Sequence, residues 1–463
     1  MYRKPKIGLL GLITEGYEDV FPGILERQRM HGREIAEILS PDIDIIFDDI
    51  GTNRAKIEEI VSSYNHMQLD GILIVLLAYS HGAWLTRAMQ DNRLPVAVAV
   101  LQPDDIADES FEELDLTINQ GIHGAQDNCN ILMRLGIAFQ VYAGSRHSED
   151  FSAFALDFAK SAQTYAELKA MRVGVVGRMQ GMGDILIDEM ALLQKLGVEI
   201  CHDGLGAVCS HMQTLESAEI HAEIQEDFKR FEVDSKLAEE SHRIAVTEYL
   251  GFKRYLETNS YDAFTAHFDM FGQDGRFRQL PLYAASRLMA DGYGYAAEGD
   301  INCAAMVRAG HILSGRPANF TEMYMMDEKS QSILFCHAGE GNYASAAEGR
   351  SPRLIDRYLG EGGLENPPTI LFQPTPGRAT LVSLVSLGSS FRLVVAKGEI
   401  LDKEDMRRCE MPYLFFKPDS GVRRCVEDWL KLGGTHHEVI CLGDVAQRWK
   451  ILCEMAGIEY KEV

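Results

Sequence analysis

The chain has 463 residues, 46% of them hydrophobic and 25% charged, enough apolar material for more than one core and incompatible with a disordered chain. Forty-five Lys and Arg against 69 Asp and Glu leave a formal charge of −24, a balance unsuited to nucleic acid or to an anionic membrane surface. The nine cysteines are scattered without a C-x-x-C pair, as expected of reduced thiols in a cytoplasmic protein.

The first apolar run, 6–13, leads straight into Thr14, Glu15 and Gly16 with no cleavage-like site. It reads as a buried strand and not as a secretory signal, and no apolar run reaches transmembrane length. Runs 43–47, 71–77 and 95–101 are also apolar and β-branched, and helical patterns at 23–39 and 82–90 follow the strands at 6–13 and 71–77. That alternation predicts a parallel sheet covered by helices.

A second unit starts at Arg172, where a strand at 173–177 meets a Gly-rich turn and then an amphipathic helix from about 184 to 196. Helices are predicted at 216–231 and 235–257, a strand at 261–268 and a helix at 279–291. After Pro317 the texture changes to short apolar runs at 332–336, 369–372, 379–387 and 391–396, separated by Gly, Pro, Ser and Asp, the pattern of antiparallel hairpins. The predicted fold is α/β: two Rossmann-like domains with parallel sheets (1–170 and 171–315) and a mainly antiparallel β domain (316–463).

The turn Gly177-Arg-Met-Gln-Gly-Met-Gly183 follows a strand and opens a helix, a context in which backbone amides can approach phosphate. Its spacing is not G-x-G-x-x-G and no partner acid ends a second strand, so no dinucleotide is expected. Four separated residues form a more informative set: Glu298, Glu322, His337 and His437. Each alone has an ordinary structural reading, such as a helix-start charge, an exposed strand residue or a hydrogen-bonded core histidine. Two carboxylates and two imidazoles together suit a divalent ion of intermediate hardness, Mn²⁺, Co²⁺ or Fe²⁺, with room for substrate oxygens. His436 and His437 are adjacent, so on a regular strand only one of them should enter a given site.

The segments Tyr249-Leu-Gly-Phe-Lys-Arg-Tyr-Leu-Glu257, Ala263-Phe-Thr, Gln279-Leu-Pro281, Arg287-Leu-Met289 and Gly292-Tyr-Gly-Tyr-Ala-Ala-Glu-Gly-Asp300 resemble the L-arabinose isomerase family, in the same order. Asn119-Gln120, His123-Gly124 and Gly433-Gly-Thr-His-His437 extend the likeness through most of the chain. The resemblance implies that Glu298, Glu322, His337 and His437 hold a manganese-type ion and that the two glutamates also act as the acid/base pair. It further implies that Gln120 and His123 contact the sugar from a neighbouring subunit and that Met179 and Phe268 line the pocket; of the adjacent histidines, with His437 the ligand, His436 is the supporting residue, placed with the substrate. A homo-oligomer, trimer or hexamer, with shared sites is implied as well.

The expected activity is therefore metal-dependent aldose–ketose isomerisation of an L-arabinose-like pentose or related sugar through an enediolate. Residues 13–17 lack the Gln and Leu-Tyr pattern that encloses arabinose in the family, which leaves the sugar open. An L-fucose or D-arabinose type of isomerase is the neighbouring alternative, and a sugar-binding protein without chemistry is the alternative from another class.

Overall fold

The computed structural model describes residues 3–272, 275–359, 363–403, 406 and 408–463. The chain divides into two compact units, one of residues 1–166 with 448–455 and the other of 167–447 with 456–463.

The first unit is built on a parallel sheet in the order Asp44–Ile46, Lys6–Leu12, Gly71–Leu76, Val96–Leu101, Phe139–Gly144, with Ile50–Gly51 also pairing on Lys6–Leu12. Gly71–Leu76 and Val96–Leu101 are buried along their whole length, which is why the sequence shows continuous apolar runs there and no alternation. Two apolar cores, one on each face, hold the helices to the sheet. Residues 448–455 return to this unit: the Arg448 guanidinium pairs with Asp157 at 2.7 Å, Ser161 donates to the Arg448 carbonyl, and Met455 packs on the core.

In the second unit, Gly294–Ala297, Ala263–Ala266, Arg172–Val176 and Glu199–Asp203 form a four-stranded parallel sheet in that order. Six later strands close on themselves as an antiparallel barrel: Gly377–Ser386, His437–Leu442, Ala318–Asp327, Ser332–Cys336, Tyr413–Pro418 and Phe391–Ile400, the last pairing back on the first. Glu459–Glu462 adds to Phe391–Ile400 in parallel. Ile333, Phe335, Leu381, Val394, Phe416 and Ile440 of the barrel strands form one apolar core with Val422, Cys425 and Trp429 of the helix Val422–Lys431. All nine cysteines are free, and no described helix is long and apolar enough to cross a membrane.

Two sequence expectations are corrected here. The helix predicted from residue 184 begins at Glu189, because Asp188 caps it by accepting from the Ala191 amide at 3.0 Å; residues 184–188 lie outside it, with a turn only at 184–185. The strand predicted over 261–268 shortens to Ala263–Ala266, because His267 caps a single turn, Phe268–Met270, through the Asp269 amide.

Candidate metal centre

Glu298 follows directly on the Gly294–Ala297 strand, at the carboxyl edge of the parallel sheet, where open α/β sheets present their functional loops. Its φ is +65°, a left-handed conformation uncommon for a residue with a Cβ and of the kind retained where function holds it. The conformation is fixed from both sides. The Glu298 amide donates to the Ala266 carbonyl at 2.8 Å, and the Glu298 carbonyl accepts from the Met179 amide at 2.8 Å. Asp300 caps the helix Ile301–Ser314 by accepting from the Cys303 amide, which releases Glu298 from the helix-start role its position suggested.

The barrel supplies the other members. Antiparallel register places Glu322 opposite His437 on one side and opposite Cys336 on the other, so these three lie in one row across the barrel end. His337 is the first residue beyond the Ser332–Cys336 strand, and a register irregularity between Met323 and Met325 lies just past Glu322. Ligand atoms of Glu298, His337 and His437 lie within 4.8 Å of one another, as do those of Glu322, His436 and His437. The four residues expected as ligands thus gather around His437, although the two glutamates fall in different sets. Cys336 belongs to neither set.

The expectation that only one of His436 and His437 enters the site is not met. The strand begins at His437, and His436 stands before it in a bend, so alternation does not apply and the rings lie 4.0 Å apart. Both reach the same carboxylate oxygen: Glu298 Oε2 is 3.5 Å from His436 Nε2 and 3.4 Å from His437 Nε2.

Each of the three histidines has a carboxylate behind its Nδ1. Asp300 Oδ2 is 3.1 Å from His437 Nδ1, Glu340 Oε1 is 3.0 Å from His337 Nδ1, and Asp184 Oδ2 accepts from His436 Nδ1 at 2.6 Å. A carboxylate hydrogen-bonded to Nδ1, as Asp300 is to His437, holds the proton there and turns the Nε2 lone pair of a neutral ring toward the site, as second partners of metal-bound histidines do. Tyr295 in turn donates to Glu340 Oε1 at 3.0 Å. Sequence reading had not assigned Asp184, Asp300 or Glu340. The latter two carry a faint signal, lying two residues after Glu298 and three after His337. Asp184 carries none, because 252 positions separate it from His436.

Burial works against ionisation of Glu298, but His436, His437 and His337 outweigh it and hold the carboxyl below its ordinary range. Burial would lower His337, and the Glu340 carboxylate reverses this and raises it. His436, hydrogen-bonded to Asp184 and facing Glu298, is pushed up to about 10. The donor set fits a divalent cation: Glu298 Oε2 and His437 Nε2 are buried, face each other and have no hydrogen-bond partner, a cost that a shared cation removes.

Phe268, half-buried after the Ala263–Ala266 strand, has its ring 6.2 Å from that of His337, and Met179 is tied to Glu298 through its amide. Gln120 and His123 belong to the first unit, at the start of the helix Gly121–Arg134. There Gln120 Nε2 donates to the Tyr17 hydroxyl at 2.9 Å and Gln120 Oε1 is 3.3 Å from His123 Nδ1.

Residues 183–316 match the family model of the L-arabinose isomerase central domain and residues 317–459 that of its C-terminal domain. L-arabinose isomerase of Leuconostoc mesenteroides is 26% identical over 468 residues, covering 96% of each chain. That of Geobacillus thermodenitrificans is 27% identical over 94% of this chain and 90% of its own, and L-arabinose isomerase 1 of Bacillus licheniformis is 30% identical over 76% and 72%. These relatives define the class as aldose–ketose isomerases, that is, intramolecular oxidoreductases acting on sugars. Within that class the chain belongs to the L-arabinose isomerase family.

Proposed function

We propose that the protein interconverts an aldose, an L-arabinose-like pentose or a related sugar, with its ketose in a reaction that depends on a divalent ion held by Glu298, Glu322, His337 and His437. The reading is carried by one observation: carboxylates from two different sheets meet at His437, with buried oxygen and nitrogen lone pairs left without partners. Mn²⁺ is the expected ion, with Co²⁺ or Fe²⁺ as substitutes for the same oxygen and nitrogen donors. When bound, it would supply Lewis-acid stabilisation of negative charge on the sugar oxygens O1 and O2.

The chain's own residues do the rest. Isomerisation takes a proton from C2 and returns one to C1 while a second proton passes between O2 and O1, with an enediolate between the two stages. Glu322 and Glu298 are the two groups assigned to these transfers. Phe268 and Met179 offer apolar surface beside the reacting carbons, and His436 offers a polar contact to a sugar hydroxyl. Gln120 and His123, lying outside the unit that holds the metal cluster, are assigned to a neighbour's sugar in a cytoplasmic homo-oligomer.

The test is turnover of a panel of aldopentoses, aldohexoses and deoxyhexoses by metal-stripped protein with and without Mn²⁺, beside Glu322→Gln. Metal-dependent ketose from one sugar, absent with the variant, is the expected result. Ketose from deoxyhexoses alone moves the substrate to the L-fucose type, and Mn²⁺ binding without any turnover refutes the proposed activity. Solvent deuterium at C1 of the product supports the enediolate route; none at C1, with internal return controlled, refutes it.

A further inference from the structure

The segment from Gly177 to Asp188 leaves the carboxyl end of the Arg172–Val176 strand and is hydrogen-bonded to two residues of the metal cluster. One fastening is the hydrogen bond from the Met179 amide to the Glu298 carbonyl, 2.8 Å. The other is Asp184, whose Oδ2 accepts from both the His436 amide at 2.9 Å and His436 Nδ1 at 2.6 Å. Between these points lie Gln180, Gly181, Met182 and Gly183. Gly181 has φ +97°, and a Cβ at Gly181 or Gly183 would meet nothing within 4 Å, so these two positions are open, while Ile185, next to Asp184, is buried.

His436 needs what Asp184 provides. Its neighbours are fixed: the Thr435 amide donates to Ser383 Oγ at 3.0 Å and Thr435 Oγ1 donates to the His437 carbonyl at 2.6 Å. The imidazole itself lies outside the ladder and is 31% exposed, so backbone pairing does not set its direction. The double acceptance by Asp184 does so, leaving Nε2 pointing at Glu298. One carboxylate therefore both latches the Gly-rich span and aims the ring.

We infer that Asp184 is a positioning residue: it latches the 179–184 span as a strap and points His436 Nε2 at Glu298, beside which the sugar is proposed to bind. The inference rests on the isomerase reading for its kinetic part only. The latch itself has a readout independent of turnover.

The experiment compares the wild-type holoprotein with Asp184→Asn and with Asp188→Asn, a control that keeps a competent helix cap at the far end of the same segment. Amide hydrogen exchange across 177–188 and at His436 is measured by mass spectrometry, together with Mn²⁺ affinity and with kcat and KM on the sugar turned over by wild type. For Asp184→Asn, exchange faster by about tenfold at the strap and at His436 is expected, with a KM about three- to tenfold higher, kcat within about threefold and Mn²⁺ affinity within about twofold. Unchanged exchange overturns the latch. Loss of Mn²⁺ affinity or of kcat at constant KM overturns the assignment of His436 to the sugar. If wild type turns over no sugar, the isomerase reading fails while the exchange data still decide the strap.

Discussion

Asp300 serves two partners at once, which makes its substitution by asparagine informative. One carboxylate oxygen caps the helix Ile301–Ser314 through the Cys303 amide at 3.0 Å, and the other faces His437 Nδ1 at 3.1 Å. In Asp300→Asn the side-chain oxygen can keep the cap, since asparagine is as good a cap as aspartate. The amide NH₂ then faces His437 Nδ1, which must become an acceptor, and the ring proton moves to Nε2. That is the atom aimed at Glu298. Removing such a second partner costs roughly 10- to 100-fold in metal affinity, or about 1.4–2.7 kcal/mol, while the metal-free protein keeps its capped helix and loses under about 1 kcal/mol. Calorimetric titration of Mn²⁺ into metal-stripped protein, with urea unfolding in chelator, separates the two quantities. Wild-type Mn²⁺ affinity in Asp300→Asn would show that this carboxylate does not set the tautomer of His437.

Gly299→Ala combines a φ of +88° with a Cβ 2.5 Å from the Arg178 Cα, so it should cost about 1–3 kcal/mol in urea unfolding and displace Glu298; an unchanged midpoint refutes this. Gly434→Ala places a methyl against the buried Trp429 indole, just before the two site histidines, and should lower stability by a similar amount of about 1–3 kcal/mol with loss of Mn²⁺ affinity. His311 is buried, accepts from the Ala318 amide at 3.0 Å, and is pushed down to about 3, by burial first and by Arg308 second. Because the unfolded chain takes up a proton near pH 6.5 that the folded state refuses, His311 makes stability fall as pH drops below 6.5, by up to about 1.4 kcal/mol per unit. Urea unfolding of wild type and His311→Gln from pH 7 to 4.5 should therefore diverge on acidification, the wild type falling faster; parallel curves would refute it.

The parallel sheets were legible in the sequence because a strand buried on both faces must be apolar throughout, as 71–76 and 96–101 are. Barrel closure was not, because pairing Gly377–Ser386 with both Phe391–Ile400 and His437–Leu442 joins segments whose local patterns suit open hairpins equally well. Glu298, Glu322, His337 and His437 were found through family likeness, since each alone suits an ordinary structural role. His436 was assigned a supporting role at the substrate, but its approach to Glu298 alongside His437 was not foreseen, because alternation holds only inside a strand, and one residue of displacement from its start abolishes the rule. The carboxylates behind the rings were missed because long-range partners leave no periodic trace.

The return of residues 448–455 to the first unit bears on how the protein is made. Arg448 meets Ser161 across 287 positions, so the amino-terminal sheet leaves the ribosome long before the helix that pairs with Asp157 has been synthesised. Until then, the surface destined for Met455 and Arg448 faces solvent, and the nascent unit is open to chaperones or to a stray helix from another chain. A stop codon just before Arg448 would therefore weaken the part of the molecule translated first.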